Sequence, residues 1–193
     1  MIDTKHIPQL LTQSLEEHLE TFQLLLQRTL PQIAQAGEAI IQALRSGHKV
    51  LLCGNGGSAA DAQHIAAELV GRYEQERRSW PAIALTTDTS ALTALSNDYG
   101  FEEVFARQVA GLGKPGDVLI AISTSGRSPN IIRAAAQAKA LGCTTIALTG
   151  AGAEPLASSC DFAVIVPSDR TSRVQEAHIA IGHLWCEMLD RAG

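Results

Sequence analysis

His64 and Glu68 stand four residues apart in this chain of 193 residues. On a helix that spacing puts them one turn apart on a single face. A carboxylate beside an imidazole can move protons, although a solvated ion pair uses the same spacing. A second group, Gln175, Glu176, His178 and His183, falls in the last predicted helix. Ser172 and Gln175 have the spacing of a capping box, which would leave Gln175 with a purely local task. His178 and His183 lie about 140° apart around an ideal helix, so spacing alone does not say which one works. The third group is Ser123-Thr124-Ser125-Gly126-Arg127-Ser128-Pro129-Asn130. Hydroxyls, a glycine and a proline suited to the first helical position point to a cradle for a phosphate monoester. An ordinary serine-rich loop is the plainer reading, and Arg127 is given no role.

The elements that must position these groups can be read around them. Val50-Leu51-Leu52-Cys53 has the length and apolarity of a buried strand. Gly54-Asn55-Gly56-Gly57 breaks it, and Ser58 is expected to cap the helix that carries His64 and Glu68, with Asp61 at the capping-box position. Strand, glycine turn and helix N-terminus form an anion site, because free N–H groups and the positive end of the dipole face the turn. The dinucleotide fingerprint is only half met, since Ala59 stands where its third glycine belongs, and there is no Gly-Lys-Ser/Thr loop. A phosphate or sugar site is expected, without a nucleotide cofactor.

Two helices precede this unit, Ile7 to Arg28 with an apolar stripe (Leu11, Leu15, Leu19, Phe22, Leu25, Leu26) and Pro31 to Ser46. The stripe serves equally to cover a sheet or to meet a partner subunit. After the His64 helix, Pro81 to Leu85 reads as a strand. Ala91 to Ser96 reads as a helix stopping before Asn97-Asp98-Tyr99-Gly100, and Phe101 to Leu112 as another helix. Strands follow at Asp117–Ile122, Thr144–Leu148 and Phe162–Val166, with a helix at 131–140, a short one within 149–160 and a final one from about Thr171. Strands alternating with helices predict an α/β fold, a doubly wound parallel sheet of five strands with an N-terminal helical arm. Such sheets bind ligands beyond the carboxyl ends of their strands, where both cradles fall.

Composition narrows the function classes. A net charge of −5 leaves no footprint for nucleic acid or an anionic membrane, and aromatics at 4% leave few rings on which bases could stack. Cys53, Cys143, Cys160 and Cys186 are widely spaced, against both disulfides and a cysteine zinc site. With neither a signal-peptide pattern nor a membrane-length apolar run, a cytoplasmic location is expected.

Together these motifs resemble those of the phosphoheptose isomerases of the sugar-isomerase (SIS) domain family. The resemblance rests on Gly54-Asn55-Gly56-Gly57-Ser58, Asp61-Ala62-Gln63-His64, Glu68, Asn97-Asp98, Ser123-Thr124-Ser125-Gly126 with Ser128, and Gln175-Glu176 followed by His178 and His183. It implies a flavodoxin-like SIS domain over residues 47–193. Residues 1–46 would serve oligomerisation in a homotetramer with active sites at subunit interfaces. It implies conversion of sedoheptulose 7-phosphate to glycero-manno-heptose 7-phosphate, a precursor of surface heptose in lipopolysaccharide or capsule. Ser123, Thr124, Ser125 and Ser128 would hold the phosphate, and Asn55, Gly56, Gly57, Glu68, Asn97, Asp98 and Gln175 the sugar. Glu68 would be the base and His183 the acid, a division of labour that enediol chemistry also requires. His64, Glu68, Gln175 and His183 match a zinc site of one ion per subunit. The chain departs from the family at Gly150-Ala151-Gly152-Ala153, which is less glycine-rich than its usual turn.

Two other functions fit the same motifs less well. A non-enzymatic SIS tetramer that binds a replication-initiator protein would lack the acid and base, yet Glu68 and His183 are both present. An isomerase or sensor for another sugar phosphate would differ in pocket walls that a sequence does not display.

Overall fold

Alternation along the strands sorts their side chains into two cores. In β1 (Val50–Gly54), Val50 and Leu52 point to one face, and Leu51 and Cys53 to the other. The computed structural model describes residues 6–192, so residues 1–5 of the expected arm and Gly193 lie outside the described residues. β2 (Ala82–Ala84), β3 (Val118–Ser123), β4 (Thr144–Thr149) and β5 (Phe162–Ile165) complete an all-parallel sheet in the order β2-β1-β3-β4-β5. This is the flavodoxin-like order, whose switch point falls between β1 and β3. The expected α/β class and five strands are both found.

On one face lie α1 (Ile7–Arg28), α2 (Leu30–Arg45), α3 (Gly57–Val70) and α8 (Thr171–Ala192), whose buried residues join one core with Val50, Leu52, Ile120 and Leu148. On the other lie α4 (Thr89–Tyr99), α5 (Val104–Leu112), α6 (Pro129–Ala140) and the short α7 (Leu156–Ser159). Among the described residues no helix is long and apolar enough to cross a membrane. All four cysteines are free, and burial pushes the Cys186 thiol up to about 12.

Three local expectations are corrected. Ser58 does not cap α3: the helix begins at Gly57 behind Gly56, which turns the chain at φ +56°, and Ser58 is buried one position inside. Asp61 makes no cap either. α4 starts earlier and ends later than its apolar pattern suggests, because Asp88 caps it through Ala91 N–H (2.9 Å) and Gly100 at φ +89° ends it. Asn97 and Asp98 therefore sit in its last turn and not in a loop. Past Gly100 the chain makes a 3₁₀ turn (Phe101–Glu103) before α5, where one continuous helix is predicted from sequence.

α3 and α8 approach closely because Gly182 has no side chain. A Cβ there would fall 2.5 Å from Cδ1 and 2.6 Å from Cγ1 of Ile65, which is buried. Their sequence neighbours are His183 and His64. Gly182→Ala is therefore expected to cost about 1–3 kcal/mol of overpacking, read from urea unfolding midpoints. An unchanged midpoint would show that the helices have room to part.

Candidate active site

β1 and β3 deliver the two cradles side by side at the switch point. At the end of β1, Asn55 forms a reciprocal amide pair with Asn130, each Nδ2 donating to the other Oδ1 at 2.9 Å. Asn130 is 2% exposed and sits in the first turn of α6. The pair ties the glycine turn to the serine loop. Sequence reasoning missed Asn130, although its place just after Ser128-Pro129 marks it as a first-turn residue of the cradle helix.

The serine loop is shaped for an anion. Ser128 holds the N-cap position of α6 but does not cap it with its side chain. Its hydroxyl lies 3.0 Å from Ser123 Oγ, so two of the expected phosphate ligands already converge. Ser125 Oγ accepts from Arg127 N–H at 3.2 Å, and Thr124 C=O from Gly150 N–H at 3.1 Å. Gly126, at φ +66°, lies so close to the Ala153 backbone that a Cβ would collide with it. With no side-chain cap hydrogen bond, α6 presents its dipole end to the loop.

The candidate acid and base meet where α3 packs on α8. His64 Nε2 lies 3.0 Å from His183 Nε2 and 3.5 Å from Glu68 Oε1. Two imidazole nitrogens at that distance share one proton, one as donor and the other as acceptor. Gln175, two turns before His183, presses against Gly57, where a Cβ would overlap its amide. This close approach explains why glycine stands at Gly57 and joins Gln175 to the first cradle. Two imidazoles and a carboxylate are a sound donor set for zinc, and an amide oxygen is an unusual fourth. Among the described residues no group of three or more His, Cys, Asp or Glu is spaced as a metal cage, and the two histidines instead bond each other.

Two expected site residues stand apart. Asn97 Nδ2 donates to Asp98 Oδ1 at 2.8 Å, and both side chains are exposed on α4, a helix without a buried residue. Asp61, one turn before His64, has one oxygen buried without a partner. Burial pushes its carboxyl up to about 6, against the pull of His64.

The structure separates the two histidines of α8. His183 belongs to the site, whereas His178 is completely buried with neither ring nitrogen hydrogen-bonded among the described residues. His178 is a packed core residue, a choice that helical spacing left open.

The geometry defines a class: an α/β protein that can hold a phosphate at β3 and exchange protons a short way off, at the α3–α8 contact. Comparison with known proteins carries this to a family. The SIS-domain family matches residues 15–150. A phosphoheptose isomerase from Nitratiruptor sp. is 57% identical over 176 residues, covering 91% of this chain and 94% of its own. One from Aquifex aeolicus is 59% identical over 159 residues, covering 82% and 83%. The solved structure of phosphoheptose isomerase from Neisseria gonorrhoeae superposes with a TM-score of 0.91 at 43% identity, covering 96% of this chain and 99% of the other. The chain belongs to the SIS-domain family and, within it, to the phosphoheptose isomerases, and it is an isomerase.

His178 generates a pH prediction. Burial holds its imidazole down at about 4. The unfolded chain, titrating near the ordinary 6.5, therefore binds the proton first as pH falls. Stability from this residue is intact above about pH 6.5 and drops by about 3 kcal/mol on the way to pH 4. In His178→Phe that share of the acid-induced loss should vanish from unfolding curves taken between pH 7 and 4. An identical loss in both proteins would mean that His178 does not titrate on unfolding.

Proposed function

We propose that the chain converts a seven-carbon ketose phosphate to its aldose, sedoheptulose 7-phosphate to glycero-manno-heptose 7-phosphate, for precursors of surface heptose in lipopolysaccharide or capsule. The observation that carries this is the meeting of Glu68 and His183 around His64, in one chain with the Ser123–Ser128 cradle at the end of β3.

The chemistry follows from these groups. Ser123, Thr124, Ser125 and Ser128 hold the phosphate at the α6 N-terminus, and Asn55, Gly56, Gly57 and Gln175 meet the sugar. The Glu68 carboxylate takes a proton from C1 of the ketose while His183 gives one to the C2 oxygen, producing an enediol. Glu68 then returns its proton to C2 as His183 recovers one from the C1 oxygen. Protons balance, and the same two groups serve both halves.

Zinc, one ion per subunit, would be held by His64, Glu68, Gln175 and His183, replacing the proton the two histidines share. Its chemistry would be polarisation of the sugar oxygens. Asn97 and Asp98 complete the sugar site from a neighbouring subunit in a homotetramer. Several features support that assembly. Leu11, Leu15, Leu19 and Leu26 on α1 are 58–66% exposed. His183 also sits on the rim of an apolar groove walled by Leu19, Phe22, Leu26, Leu30 and Leu184. Hydrophobic faces of that size are ordinarily covered. Residues 1–46 would form that contact and 47–193 the SIS domain proper, inside the cytoplasm.

The test is aldose formation from sedoheptulose 7-phosphate by the native protein and Glu68→Gln side by side. Native turnover with a loss of about 10²–10⁴-fold in the folded variant is expected. Absence of native turnover, with and without added zinc, would end the reading and turn the search to other sugar phosphates or protein partners. Chelation should remove one zinc per subunit by mass spectrometry and lower turnover until zinc is restored. Light scattering should give four chain masses, falling when Leu15 and Leu19 are changed to Glu. A monomeric native protein would exclude interfacial sites.

A further inference from the structure

The chain that leaves α3 does not run free before β2. It folds back over the α3–α8 contact and is tied there by a buried ion pair. Arg77 Nε donates to Asp190 Oδ1 at 2.8 Å, with the two side chains 6% and 2% exposed. The other carboxylate oxygen accepts the backbone N–H groups of Glu74 and Gln75, both at 2.9 Å. The Arg77 guanidinium also donates to Glu68 C=O at 2.8 Å and Leu69 C=O at 3.0 Å, two of the carbonyls that α3 leaves open at its C-terminus. One buried pair thus closes the end of the helix bearing Glu68 and fixes the loop that follows. Asp190 is seven residues beyond His183, on the same face of α8.

The loop held this way contains Tyr73. Its ring stacks on the His183 imidazole, with centroids 5.4 Å apart and planes inclined by 29°, while its edge packs against the core. His183 is therefore gripped twice, at Nε2 by His64 and across its face by Tyr73. A half-exposed imidazole held only by a hydrogen bond to another half-exposed side chain would be free to turn about its ring axis. Stacking removes that freedom. A misplacement of about 1 Å in a proton-transfer group is enough to slow the reaction.

We propose that Tyr73 is a positioning residue for His183, and that Arg77 and Asp190 act on the reaction through Tyr73 by clamping its loop. The proposal rests on the isomerase reading above and adds to it residues that touch neither the phosphate cradle nor the sugar. Stacking, not the phenol hydroxyl, is what His183 needs, so the conservative variant should rescue the function.

Steady-state kinetics on sedoheptulose 7-phosphate and the His183 ring-proton resonances, assigned with His183→Gln, test it together. Tyr73→Leu should lower kcat about three- to tenfold, leave KM within twofold, and move the His183 resonances as the ring current is lost. Tyr73→Phe should keep native values for both. Asp190→Asn, or Arg77→Lys should the former not fold, should reproduce the Tyr73→Leu effects. Combined with Tyr73→Leu, it should add nothing further, as expected of residues acting in one chain of contacts. Unchanged kcat and resonances in Tyr73→Leu, a rise in KM alone, or additive losses in the double variant would each overturn the proposal. A native protein that turns nothing over would end the sedoheptulose 7-phosphate reading instead, while the resonances still decide whether Tyr73 and its clamp hold His183.

Discussion

The close packing of α3 on α8 is the constraint on which the site depends. Each helix carries part of the proposed acid–base group, Glu68 and His64 on α3 and His183 on α8. Gly182 lets the axes approach, Ile65 fills the gap, and the His64–His183 contact follows as a consequence of that approach. The Arg77–Asp190 pair then locks the ends of the same two helices. Burying a charge pair is costly unless every donor and acceptor is used. Here the carboxylate accepts three N–H groups and the guanidinium reaches several carbonyls, which explains how the pair survives almost fully buried.

The anion cradle has a different physical origin. It belongs to the sheet, because the order β2-β1-β3-β4-β5 separates the loops after β1 and β3 to opposite faces and opens a crevice between them. The Asn55–Asn130 amide pair bridges that crevice and keeps the two loops in register. In the proposed reaction phosphate recognition is thus a property of topology and backbone dipoles, and proton transfer a property of helix packing. Gln175 against Gly57 is where the two meet.

The exposed apolar face of α1 and the exposed Asn97–Asp98 pair on α4 are the parts of the molecule that the proposed tetramer would cover. An apolar groove lined in part by His183 would place a covering surface beside the acid of the proposed reaction. Assembly and catalysis would then be linked through shared surface, without any need for a conformational signal.

Much of this was legible in the sequence. Short apolar runs ended by glycines and hydroxyls announced β1 and β3 and the cradles after them, because local backbone chemistry dictates a strand–turn–helix. The family motifs pointed to the family that comparison then showed, and the His64–Glu68 spacing to one face of a single helix. Helix boundaries were less legible: Ser58 looks like a cap, but Gly56 can turn the chain one step earlier, and the chain takes that option. Contacts between residues distant in sequence were not legible at all. Periodicity treats His178 and His183 alike, and only packing buries the first and leaves the second beside His64. Tyr73, Arg77, Asn130 and Asp190 carry no motif, since their roles arise from which surfaces the fold brings together. The sequence by itself determined the elements, the cradles and the family, because those are written in local pattern and in residue order. The tertiary structure decided which histidine faces the site and what holds it there, because that depends on the distance between two helices more than a hundred residues apart.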